Sequence, residues 1–174
     1  MKSKLVFLSN FIKHPKEVAS FIPSSKHLIK NMIGHINFDN AECIVEYGPG
    51  IGNITEAMLK RLKPNAKLLS FETNRKFCNF IKDNIKDCRL EIINDSAQNL
   101  DLYLKKYKIN KVDCVVSGIP FSLIKTEDKK DIVNKTYDSL KNGGKFIVYQ
   151  SSSHMKKYLS IYFKKISGKI EFSN

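Results

Sequence analysis

Apolar residues recur along the chain in two rhythms. Short runs rich in β-branched and aromatic residues occupy 42–47, 67–71, 89–93, 112–117 and 145–150, the length and make-up of strands. Between them the apolar positions return every three or four residues, which predicts helices over 54–62, 75–86, 100–107 and 127–140. A further helix is predicted over 26–36, with Ser24 and Ser25 as its capping residues. Another follows over 154–165, and then a sixth strand over 169–173. Thr126 reads as the N-cap of the 127–140 helix, with Glu127 and Asp128 where the helix dipole favours acids. Lys141-Asn142-Gly143-Gly144 reads as its glycine stop. Alternating strands and helices predict an α/β fold: a mostly parallel sheet of about six strands, helices on both faces. One domain is expected over 1–174, divided into an N-terminal helical segment (1–37) and a core (41–174).

The first strand runs straight into a glycine turn, Ile44-Val45-Glu46-Tyr47-Gly48-Pro49-Gly50-Ile51-Gly52. Glycine accepts positive φ and has no side chain to hold a ligand off the backbone. The helix that follows aims its first amides at the same place. This is how a nucleoside cofactor is held at the carboxyl end of a parallel strand. A dinucleotide turn would read G-x-G-x-x-G; here the third glycine comes one residue early and Asn53 stands in its place. Two more acids close strands. Glu72 ends the second, placed to accept both hydroxyls of a ribose, and Asp95 follows the third, placed for an adenine amine.

Composition changes the picture in one respect. Thirty Lys and Arg against 17 Asp and Glu give a net charge of +13, which favours an anionic partner, either nucleic acid or an anionic membrane surface. Cys43, Cys78, Cys88 and Cys114 lack C-x-x-C spacing and read as reduced residues of a cytoplasmic protein. His14, His27, His35 and His154 form no H-x-x-x-H pair, so no metal is expected. No apolar run approaches the roughly 18 residues of a membrane span.

An acid two residues before G-x-G-x-G, together with Glu72, Asp95 and the 139–146 segment leading into strand five, resembles the class I S-adenosylmethionine (SAM) methyltransferases over about 41–150. The resemblance implies a Rossmann-like fold and SAM as cofactor, held by Glu46, Tyr47, Gly48, Gly50, Gly52, Glu72, Thr73, Asp95, Ser96 and Ser117. It also implies a seventh strand, for which no segment is left after 173. The fourth strand ends Ser117-Gly118-Ile119-Pro120-Phe121. This is similar to the ribosomal RNA adenine dimethyltransferases, but Gly118 stands where they have the asparagine that grips an adenine amine. A Ser-Gly-apolar-Pro segment is instead found in the bacterial phospholipid N-methyltransferases. They also share an N-terminal stretch like Phe7 to Lys16 and Ile22-Pro23-Ser24-Ser25.

That resemblance implies N-methylation of a phosphatidylethanolamine headgroup, with Gly118, Ile119, Pro120 and Phe121 toward the substrate. Tyr149, at the end of strand five, is the candidate for proton removal. As a helix, Leu5, Phe7, Leu8, Phe11 and Ile12 share an arc of roughly 160° opposite Lys2 and Lys13, interrupted by Lys4 and Val6; this suits a helix lying in a membrane surface or one packing on the domain, and the resemblance favours the membrane. The expected location is cytoplasmic, peripheral at the inner membrane face. RNA adenine methylation, favoured by charge, and SAM binding without turnover remain alternatives.

Overall fold

The computed structural model describes residues 26–149 and 155–163. Six α-helices and five strands lie within them: α1 (Lys26–Gly34), β1 (Cys43–Tyr47), α2 (Asn53–Leu59), β2 (Lys67–Phe71), α3 (Arg75–Asn84), β3 (Leu90–Ile93), α4 (Leu100–Lys106), β4 (Val112–Ser117), α5 (Thr126–Ser139), β5 (Leu140–Val148) and α6 (Lys156–Tyr162). The strands form one sheet in the order β3-β2-β1-β4-β5, and every pairing is parallel. β1 is central, and all five of its residues are buried. Buried parallel strands need apolar side chains on both faces, which is why these segments read as apolar runs.

Two cores flank the sheet. On one face Val45, Tyr47, Leu69, Phe71 and Val115 meet Leu100 and Leu104 of α4, Ile132 and Val133 of α5, and Tyr158 of α6. On the other, Ile44, Leu68, Cys114 and Val116 meet Met32 and Ile33 of α1 and Met58 and Leu59 of α2. α3 packs Cys78 and Ile81 on Ile92.

Two expectations at α5 are corrected. The residue preceding the helix is Lys125, and Thr126 is its first helical residue. The glycine segment does not stop the helix. Leu140 already pairs with Val112, and residues 141–144 form a register shift inside β5, where Gly143 takes φ 76°. The sheet has five strands among the described residues; the sixth expected strand lies outside them. So do the amphipathic N-terminal segment, Ser24 and Ser25.

Candidate active site

The carboxyl ends of β1 and β4 meet at the point where the strand order reverses. Gly48 N–H donates to Phe71 O and Gly118 N–H to Tyr47 O, each at 2.9 Å, so the turn after β1 is tied to both neighbouring strands. Gly48, Gly50 and Gly52 have φ of 68°, 57° and 82°. Gly118 is required for a different reason. A Cβ there would lie 3.1 Å from Gly48 O, so the two backbones touch with no side chain between them.

Above this floor lies a cavity of about 700 Å³, within the range of small-molecule sites. Glu72, Thr73 and Asn74 after β2, with Asp95 and Ser96 after β3, line one side. The segment after β4 adds Ile119, Pro120, Leu123, Ile124, Lys125 and Asp128, and Asp128 closes on the β3 end through Gln98 at 3.1 Å.

Glu72 is 6% exposed. Its Oε2 accepts from Gly50 N–H at 3.2 Å and its Oε1 from Asn74 N–H at 2.9 Å. Burial raises its pKa above the usual carboxylate value, against those backbone donors. Each oxygen keeps a lone pair for a further donor, which suits the diol of a ribose. For Asp95, burial would raise the pKa, but hydrogen bonds outweigh it and the value is lowered. Oδ1 accepts from Ser96 N–H (2.7 Å) and Asn99 Nδ2 (2.8 Å), and Oδ2 from the Tyr103 hydroxyl (3.0 Å). Asp95 is therefore a fixed anion on the cavity wall.

Of the residues expected from sequence, Gly48, Glu72, Thr73, Asp95, Ser96, Gly118, Ile119 and Pro120 converge on this cavity. Seven others do not line it. Gly50 and Gly52 are buried within the turn itself. The Glu46 carboxylate turns to the opposite face of the sheet, where Oε2 accepts from the Thr55 and Ser70 hydroxyls, both at 2.7 Å. It braces the turn from below. Tyr47 is wholly buried, its hydroxyl 3.0 Å from Thr136 Oγ1. Ser117 is buried and accepts from Ile119 N–H through Oγ at 3.3 Å. Phe121 has no exposure and meets Phe146 edge-on, so it belongs to the core and not to the cavity lining. Tyr149 is 41% exposed beside β4, its N–H donating to Ser117 O, away from the cavity lining.

Sequence reasoning missed Gln98, Leu123, Ile124, Lys125 and Asp128. Each lies several residues beyond a strand's carboxyl end, where no local pattern marks it. Among the described residues no group of three or more His, Cys, Asp or Glu could hold a metal, and no helix is long and apolar enough to cross a membrane.

A parallel sheet in this order, with a glycine turn and two strand-end carboxylates around a nucleoside-sized cavity, is the arrangement of a class I SAM-dependent methyltransferase. Residues 11–163 match the family model described as ribosomal RNA adenine dimethylase, and the chain belongs to that family. Among its relatives is an ornithine lipid N-methyltransferase from Singulisphaera acidiphila, 28% identical over 147 residues, covering 84% of this chain and 77% of that one. Ribosomal RNA small subunit methyltransferase A from Mycoplasmopsis synoviae is 31% identical over 117 residues. That match covers 67% of this chain but 40% of the relative, so the chain spans well under half of that enzyme. A solved SAM-dependent O-methyltransferase from Thermotoga maritima shares the fold, with a TM-score of 0.61 at 13% identity over 79% of this chain and 48% of that one.

Proposed function

We propose that the protein N-methylates the amine of a phospholipid headgroup, phosphatidylethanolamine, at the cytoplasmic membrane surface. One observation carries this reading: the acceptor side of the cavity begins at Gly118, which has no side-chain amide to grip an adenine edge. Its neighbours there, Ile119, Pro120, Leu123 and Ile124, are apolar or ring-closed. Phe121, the residue that would stack on a base, is wholly buried against Phe146. The ornithine lipid N-methyltransferase among the relatives supports an aminolipid acceptor.

SAM supplies an electrophilic methyl group on its sulfonium. The protein's task is to hold an amine in line with it, and positioning of this kind lowers a barrier without a covalent role for any side chain. The headgroup ammonium first loses a proton to water. Its lone pair then forms the N–C bond as the C–S bond breaks, leaving S-adenosylhomocysteine. Glu72 and Asp95 hold the nucleoside, and the Gly48–Gly118 contact lets the reacting centre lie close to the backbone.

RNA adenine methylation is the second reading, favoured by family membership and by the +13 charge. The test is methyl transfer from labelled SAM to phosphatidylethanolamine vesicles, ornithine lipid vesicles or ribosomal RNA. Label in phosphatidylethanolamine is the expected result. Label in RNA alone, or in neither polymer nor lipid, would overturn the proposal.

A further inference from the structure

Asp95 is the second residue after β3 and lines the cavity. A carboxylate has about four acceptor positions, two on each oxygen. Both positions on Oδ1 are filled, by Ser96 N–H at 2.7 Å and Asn99 Nδ2 at 2.8 Å. On Oδ2 one is filled, by the Tyr103 hydroxyl at 3.0 Å. Among the described residues Asp95 has no further partner. A single acceptor position is therefore left, and it belongs to the oxygen that Tyr103 holds.

Tyr103, the fourth residue of α4, is itself fixed. Its ring meets Phe71 edge-on, with centroids 5.4 Å apart and planes at 89°. Phe71 is 2% exposed and lines the same cavity. The Lys106 ammonium lies 5.6 Å from the Tyr103 ring centroid. Burial, and after it the Asp95 charge, raise the phenol's pKa above its ordinary value, so the hydroxyl stays protonated and donates. Packing on Phe71 needs only the ring. The hydroxyl's one hydrogen-bond partner among the described residues is Asp95.

We propose that Tyr103 is a positioning residue that sets the base specificity of the cofactor site: its hydroxyl holds the remaining acceptor position of Asp95 on the exocyclic amine of adenine. The inference rests on the reading that Asp95 meets the adenine of SAM. A purine with oxygen at C6 would present a carbonyl there, so two acceptors would meet with no proton between them. Such a purine also carries a proton on N1, which a carboxylate free to turn would accept. Tyr103 denies Asp95 that turn, and the site rejects the 6-oxopurine.

The test is calorimetry on the full chain with S-adenosylhomocysteine and S-inosylhomocysteine, which carry an amine and an oxo group at C6. The wild type should bind the adenosyl ligand at least about 100-fold more tightly. Tyr103→Phe keeps the ring on Phe71. It should weaken the adenosyl ligand about tenfold without weakening the inosyl one, so that the preference falls to about tenfold or less. Asp95→Asn can turn an amide N–H toward the oxo group and should narrow the preference further. A wild type with no preference overturns the proposal, as does a Tyr103→Phe variant that weakens both ligands equally or neither. If Asp95→Asn still narrows the preference in that case, the contact of Asp95 with the base stands without Tyr103. A wild-type preference in Asp95→Asn removes that contact and the proposal with it.

Discussion

Glu46, next to last in the central strand, carries a carboxyl group shut off from solvent. Its Oε2 has two hydroxyl donors, whereas Oε1 has no partner among the described residues. Burial drives its pKa up to about 7, with the nearby Glu72 charge adding to the rise and the Ser70 and Thr55 hydroxyls opposing it. The native state therefore keeps a proton that the unfolded chain has already released. The stability tied to Glu46 is complete below about pH 4.5 and is lost as pH rises through about 7, a difference of roughly 3 kcal/mol. Glu46→Gln cannot ionise. Its melting temperature should fall less than that of the wild type between about pH 5 and about pH 8. Parallel melting curves across that range would show that Glu46 is already ionised throughout. A motif reading names this acid as a cofactor contact, but side chains alternate along a strand. Glu46 points to the α2 face with Ile44, while Val45 and Tyr47 point to the other.

At the scale of elements, the site depends on how closely β1 and β4 end. The Gly118–Gly48 contact is backbone on both sides, so nothing in it can rotate out of the way. Gly118→Ala forces the strand ends apart by a few tenths of an ångström. Overpacking of that kind costs about 1–3 kcal/mol, and the floor of the cavity moves with it. The expected result is a lower urea midpoint and weaker SAM binding by calorimetry. A loss of stability with unchanged SAM affinity would mean that this contact supports only the fold. The five strands were legible in the sequence because each is a short apolar run of a buried parallel sheet. The helix stop at Gly143 was not, because Leu140 enters the sheet at once and the glycine serves a register shift set by pairing with β4. The same divide runs through the site. Gly48, Glu72 and Asp95 each come within two residues of a strand's end and could be read locally. Lys125, Asp128 and Gln98 meet only because α5 starts beside the turn after β3, and no local pattern records that approach.

For the whole molecule, the +13 charge and the cavity answer different questions. Charge governs attraction to any polyanion and cannot tell a bilayer from RNA, since both release counterions on binding. The cavity decides which nucleophile meets the methyl group. The two contributions separate by salt, because exposed charges are screened over about 10 Å at 0.1 M and about 3 Å at 1 M. Sedimentation with vesicles rich in phosphatidylglycerol should fall at least about tenfold between roughly 0.05 M and 0.5 M NaCl. Turnover on acceptor lipid dispersed in neutral detergent micelles needs no such attraction and should hold within about twofold over the same range. If micellar turnover falls together with vesicle binding, the salt is acting on the reaction site, and Lys125 is the first exposed cation through which it would act. If it holds, the basic surface acts on the approach to an anionic partner and not on the methyl-transfer step.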